Sequence, residues 1–261
     1  MSERIASLPM YDADRDAVAA WWSGIAHALQ AQGVDNVAPA LEWPDDLDAH
    51  WRDPRVLLSQ TCGYPLMTRL KNAVQVVGAF RYTAPGCVGI HYRSELIARD
   101  GEVDTIESFR GRVAAINSTD SHSGANALKA LVAPLAVDNR FFSDLVVTGS
   151  HRRSLEAVQS GAADIAAIDC VTLAGLRRYA PATLAGLQSV GTTPSAPGLP
   201  LITAATTTAA ELQAIRQALA SACADPALAE VREALFIGGF EIVAASDWEV
   251  VEAIGLAQRW G

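Results

Sequence analysis

Arg112 to Leu135 reads RVAAINSTDSHSGANALKALVAPL. Its first six residues are a short apolar run of strand character, the next seven are polar, and the rest is rich in Ala and Leu at helical spacing. A strand, a loop and a helix follow in that order, which is the repeating unit of an α/β protein. The loop, Asn117 to Gly124, holds four hydroxyl residues and one histidine in eight positions. A helix start presents unpaired N–H groups and the positive end of the helix dipole, to which Ser and Thr hydroxyls add donors, so this loop is suited to an oxyanion. The same residues are also good N-caps. Residue pattern alone leaves cradle and cap both open.

The rhythm continues on both sides. Downstream, Asp144 to Thr148 and Asp164 to Ile168 read as strands, and His151 to Ser160 and Thr172 to Tyr179 as the helices after them. Upstream, Ile5 to Met10 is a strand candidate before a helix over Asp14 to Gln32. Further strands are expected at Asn36 to Trp43, Val56 to Gln60, Gln75 to Tyr82 and Cys87 to Tyr92. Beyond the central unit come strands at Leu187 to Thr193 and Leu199 to Ala204, then helices at Ala209 to Ala224, Asp225 to Phe236 and Ser246 to Trp260. This alternation argues for parallel sheets covered by helices. It predicts a first lobe made of 1–82 and 187–261, with a second lobe, 83–186, inserted between them. Two chain crossings of that kind make a hinge, and a ligand is expected between the lobes on strand-end loops.

Composition narrows the function. The chain has 261 residues, half of them hydrophobic, enough for two cores of about 100 to 150 residues each. A formal charge of −9 with scattered basic residues disfavours nucleic acid as a partner. The longest apolar runs, such as VQVVGAF at Val74 to Phe80, fall short of the about 20 residues that span a bilayer. The start, MSERIASLPMYD, has no basic-then-apolar leader, so a cytoplasmic protein is expected if that start is native. Cys62, Cys87, Cys170 and Cys223 show no zinc-type spacing and read as free thiols. No metal or cofactor is expected.

Further candidates lie at other strand ends. Thr148-Gly-Ser-His151 repeats the strand-to-helix logic, with His151 as an anion donor and Arg152 and Arg153 as solvated helix charges. Asp169 ends a strand, where it could accept from a ligand or cap the next helix. In the first lobe, Tyr11 and Tyr64 are candidate cleft walls, each with an apolar face and a hydroxyl. Thr61, Gly63 and Tyr82 complete that set.

The order of several short motifs resembles a known family. Tyr92-Arg-Ser-Glu-Leu-Ile-Ala-Arg-Asp-Gly101 is followed by Ile106-Glu-Ser-Phe-Arg-Gly-Arg-Val-Ala-Ala115 and then Ser121-His-Ser-Gly124. Gly149-Ser-His151 and Ala157-Val-Gln-Ser-Gly-Ala-Ala-Asp-Ile-Ala166 complete the series. Over about 80 residues this resembles the phosphate/phosphonate-type substrate-binding proteins of ABC transporters, which have the type II periplasmic-binding-protein fold. The resemblance implies that Ser121, His122, Ser123 and His151 hold the anion and that Tyr64 forms the first-lobe corner. It also implies a periplasmic location, a transporter permease as partner and a monomeric, non-catalytic binding protein. The chain departs from the family where an aminoalkyl ammonium would be met: Asp169 is the lone acid after the Asp-Ile-Ala strand, and Thr193 to Gly198 has none. That speaks against aminoethylphosphonate. The rival class is a cofactor-biosynthesis-type enzyme on the same fold, with His122, His151, Asp169 and Cys62 or Cys170 as acid, base or nucleophile.

Overall fold

The computed structural model describes residues 3–101 and 105–256. In chain order the first elements are β1 (Ile5–Ser7), α1 (Arg15–Ala31), α2 (Leu47–Arg52), β2 (Val56–Gln60), α3 (Gly63–Met67) and β3 (Val74–Tyr82). The Asp14 carboxylate starts α1 by accepting from Ala17 N at 3.0 Å. One face of the helix then buries Val18, Trp21, Trp22, Ile25 and Leu29. Each such large apolar side chain contributes about 1.5–3 kcal/mol when removed from water. The Trp pair is core, and Trp22 Nε1 donates to the Ala38 carbonyl at 3.1 Å.

The middle of the chain carries β4 (His91–Tyr92), β5 (Ser94–Arg99), β6 (Val113–Ile116), α4 (Ala127–Val132), β7 (Asp144–Val147) and α5 (His151–Ser160). It continues through β8 (Ile165–Asp169), α6 (Cys170–Tyr179), β9 (Leu187–Thr192) and β10 (Ala196–Pro197). Helix α5 is bounded by Ser150, whose hydroxyl accepts from Arg153 N, and by Gly161 at φ +78°. That left-handed cap position favours glycine. The end of the chain supplies β11 (Pro200–Ala204), α7 (Ala209–Ala224), α8 (Ala229–Ala234), β12 (Ile237–Glu241) and α9 (Glu249–Leu256).

Two compact units result. The first runs through Thr83 and takes in Val88–Ile90 and Gly198–Asp247; the second contains Ala84–Cys87, His91–Pro197 and the chain from Trp248 on. The first unit's sheet has the order β1-β2-β11-β3-β12, with α1 and α7 packed together over one core. The second unit's main sheet has the order β7-β6-β8-β5-β9, and β4 and β10 form a separate two-stranded pair. Both five-stranded sheets are mixed rather than parallel. β1 and β2 run parallel, as do β6, β7 and β8, whereas β11, β12, β5 and β9 are antiparallel to their neighbours.

Several expectations differ from the structure. Asn36 to Trp43 is not a strand: Asn36 sits at φ +53°, Pro39 lacks an N–H, and Glu42 N makes a single bond to Ala6 O. Cys87 to Tyr92 shrinks to His91–Tyr92, because Gly86 and Gly89 take positive φ and turn the chain. β9 pairs with β5 in the second sheet, although the sequence reading placed it with the first lobe. Trp248 and α9 likewise go with the second unit. The helix expected over Asp225 to Phe236 begins with a single 3-10 turn at Pro226–Leu228, and Phe236 ends it at φ +58° before β12. The final helix was expected to reach Trp260; residues 257–261 lie outside the described residues.

Candidate functional site

Because β6, β7 and β8 run parallel, the loops that follow them leave the sheet at one edge. The first two loops carry Asn117–Ser121 and Thr148–Ser150, and Asp169 is the last residue of β8 at the same edge. β5 runs the other way, with Ser94 opposite Asp169, so its first residue lies at that same edge. The spacing of hydroxyls and histidines along the sequence thus becomes a cluster in the second unit.

The loop after β6 enters a π-helical turn over His122–Asn126. Asn126 N bonds Ser121 O at 3.0 Å and Ala127 N bonds His122 O, each spanning five residues. Wider turns of this kind recur at functional sites because they re-aim backbone and side chains. Ser121 caps the turn, its hydroxyl accepting from Gly124 N at 3.2 Å. The Ser94 hydroxyl donates to the Ser123 carbonyl at 2.9 Å, while Ser94 N donates to Thr193 Oγ1 at 2.9 Å. The turn is therefore braced from β5, and Ser121, His122, Ser123 and Asn126 are all buried.

Ser123 Oγ lies 3.0 Å from His151 Nε2, which joins the first loop to the helix after β7. Burial pushes the His151 imidazole down to about 4, the Ala167 backbone opposing it. His122 is pushed down to about 4 by burial as well. Both rings are therefore neutral at pH 7, and the Ser123–His151 bond joins two uncharged groups. His122 lies beside Tyr92, with 6.3 Å between ring centroids.

Gly124 is required by space. A Cβ there would come 1.9 Å from Asn117 Oδ1 and 3.1 Å from His151 Cε1. Asn117 Oδ1 and Asn126 Nδ2 are buried without hydrogen-bond partners among the described residues. The acceptor lies in the loop after β6 and the donor at the end of the π-helical turn.

Asp169 caps α6, its Oδ1 accepting from Val171 N at 2.7 Å and Thr172 N at 3.1 Å. This is the helix-capping role read for it in the sequence. Arg152 and Arg153 are exposed on α5.

The other five candidates lie in the first unit. Tyr11 and Tyr82 meet edge to face with centroids 5.0 Å apart, and the Gln60 amide donates to the Tyr82 hydroxyl at 3.0 Å. They line a small cavity of about 20 Å³ with Trp21 and Phe80. Thr61 is fully buried, with its N–H on the Pro200 carbonyl. Gly63 and Tyr64 open α3, and the Tyr64 carbonyl accepts from Thr68 Oγ1 at 2.8 Å. These three do not line the Tyr11–Tyr82 cavity.

Sequence reasoning passed over Ser94, Asn126 and Thr193. Ser94 had a signal, the Tyr-x-Ser at Tyr92–Ser94, but its role depends on β5 lying antiparallel to β8. Among the described residues no group of three or more His, Cys, Asp or Glu is placed to hold a metal ion. No helix among them is long and apolar enough to cross a membrane.

This α/β unit gathers Ser, His and Asn side chains at the edge where its parallel strands end, the place where such sheets bind small ligands. Residues 55–248 match the family described as ABC transporter, phosphonate, periplasmic substrate-binding protein, and the chain belongs to that family. It is a family of transport proteins, not of enzymes. No curated protein matches the chain.

Solved structures agree on the type II periplasmic-binding-protein fold. The binding component of an ABC phosphonate transporter from Pseudomonas aeruginosa is 17% identical with a TM-score of 0.78, over 98% of this chain and 87% of that one. PhnD1 from Prochlorococcus marinus, solved with methylphosphonate, is 12% identical with a TM-score of 0.75, over 98% and 97%. XAC2383 from Xanthomonas citri, solved with ATP, is 14% identical with a TM-score of 0.73, over 98% of both chains.

Proposed function

We propose that this protein binds a compact tetrahedral oxyanion of the phosphonate or phosphate type at the Asn117–Gly124 turn and delivers it to an ABC permease. The carrying observation is the 3.0 Å contact of Ser123 Oγ with His151 Nε2, which brings two separate strand-end loops to one point. Ser121, His122, Ser123 and His151 are the anion-holding groups in this reading, with Ser94 bracing the turn. Family membership supports it, as does the methylphosphonate in the Prochlorococcus marinus protein. Tyr11, Thr61, Gly63, Tyr64 and Tyr82 are the proposed contacts from the first unit, and Asp169 a proposed contact from the second. The protein acts as a monomer in the compartment that its family's name indicates, the periplasm.

The anion is held by hydrogen bonds from hydroxyl, imidazole and backbone groups, so shape and acceptor number select the ligand more than charge does. The test is calorimetric titration with methylphosphonate, phosphate, 2-aminoethylphosphonate and sulfate. Binding of methylphosphonate or phosphate, with the ligand recovered unchanged and 2-aminoethylphosphonate at least tenfold weaker, is expected. Failure of both methylphosphonate and phosphate to bind overturns the reading.

A further inference from the structure

Two cysteines outside the anion-holding turn lie in contact. Cys87 Sγ is 3.5 Å from Cys170 Sγ, although 83 residues separate them in the chain. Cys170 opens α6 directly after the Asp169 cap, and its N–H donates to the Arg93 carbonyl at 3.0 Å. Cys87 ends the turn that starts at Ala84, whose carbonyl accepts from Cys87 N at 3.0 Å. Gly86 brings that turn down onto the helix start: at φ +100°, a Cβ there would sit 3.2 Å from Cys170 Cβ and 3.3 Å from its sulfur. Arg93 Nε also reaches the Gly86 carbonyl at 3.4 Å, which fixes the turn from the other side.

We propose that Cys87 and Cys170 form a redox-active dithiol that closes to a disulfide and ties the Ala84–Cys87 turn to the start of α6. Bond formation needs the sulfurs to approach from 3.5 Å to about 2.05 Å. The turn that carries Cys87 holds the left-handed Gly86 and is followed by the left-handed Gly89, so the shift falls on the most adaptable backbone nearby.

The environment divides the two roles. Cys170 sits at a helix N-terminus, and the Cys87 thiol, donating to it, holds it below its ordinary value; the same contact and burial push Cys87 up. Loss of one proton therefore leaves a thiolate on the buried Cys170 with Cys87 S–H against it. Cys170 is 1% exposed, whereas Cys87 is half-buried, so an external disulfide meets Cys87. Proton transfer along the contact puts the thiolate on Cys87, which attacks the external disulfide, forms a mixed disulfide and releases one thiolate. The released thiolate takes up the Cys170 proton, and Cys170 then attacks the Cys87 sulfur and displaces the second. In sum, two protein thiols and one external disulfide become one internal disulfide and two external thiols. Cys62 and Cys223 take no part.

The full-length protein is reduced, freed of reductant, exposed to glutathione disulfide, and labelled with a maleimide mass tag after denaturation. Four tags before oxidation should fall to two, and a non-reducing digest should link the Cys87 peptide to the Cys170 peptide. Cys170→Ser should instead retain glutathione on Cys87. Cys87→Ser should leave Cys170 unmodified. Four tags after oxidation, or a link through Cys62 or Cys223, overturns the proposal. The same Cys87–Cys170 link in protein purified without reductant supports it.

Discussion

At the scale of single residues, the Ser123–His151 pair carries the clearest expectation. Ser123→Ala removes the hydroxyl against the His151 Nε2 of a half-buried ring. A polar group that loses its partner costs about 1–3 kcal/mol, which corresponds to roughly a 5- to 150-fold loss in oxyanion affinity if the ligand uses the same groups. Titration of methylphosphonate into wild type and variant measures it, and an unfolding curve of each separates affinity from stability. Arg152→Ala on the exposed face of α5 should change stability by less than about 0.5 kcal/mol. The members of this cluster were legible in unequal degree. Ser121, His122, Ser123 and His151 announce themselves because hydroxyls and histidines concentrate at strand-to-helix junctions. Ser94 and Thr193 do not: their positions follow from β5 and β9 pairing across almost a hundred residues, as in the Ser94 N to Thr193 Oγ1 bond. No local pattern encodes that register.

At the scale of elements, substitutions at two helix starts separate packing from recognition. Gly124→Ala forces a methyl against Asn117 Oδ1 and His151, and overpacking of this kind costs about 1–3 kcal/mol. Its thermal midpoint should fall, and ligand affinity should fall with it because the π-helical turn must shift. Asp169 behaves differently. Asp169→Ala removes the cap of α6 at a cost of about 1 kcal/mol, whereas Asn is an equally good cap, so Asp169→Asn should unfold like wild type. A loss of ligand affinity in Asp169→Asn, with stability intact, would assign the carboxylate a second role at the ligand. Helices were the elements most readable in the sequence; α5 and α7 span His151–Ser160 and Ala209–Ala224 as expected, since Ser150, Gly161 and Thr208 mark their ends. Strands were less so. β12, with the sequence IGGFE, hides its alternation behind two glycines, and its partner β3 lies more than 150 residues earlier.

At the scale of the whole molecule, buried histidines set the acid limit of stability, and they are divided unevenly between the units. His122 and His151 of the second unit are pushed to about 4 by burial, from an ordinary value of 6.5. His50 of the first unit is also lowered by burial, with Glu42 opposing that shift. A histidine whose folded value lies below its unfolded value takes up a proton more readily when the chain unfolds. Its stabilising effect is complete above pH 6.5 and is lost as pH falls from 6.5 toward 4. At about 1.4 kcal/mol per pH unit, each of the two second-unit histidines forfeits about 2 kcal/mol by pH 5 and about 3 kcal/mol by pH 4. Together that is a large part of the roughly 5–15 kcal/mol that holds a domain folded. The second unit should therefore give way first on acidification. Trp21, Trp22, Trp43 and Trp51 belong to the first unit and the buried Trp248 to the second, so Trp fluorescence is weighted toward the first unit. In urea at pH 5, far-UV ellipticity should be lost ahead of Trp fluorescence, whereas the two curves should lie closer together at pH 7. The His122→Gln, His151→Gln double variant should flatten the pH dependence between 7 and 5. Midpoints that stay unchanged from pH 7 to pH 5 would mean that neither ring is kept neutral by the fold.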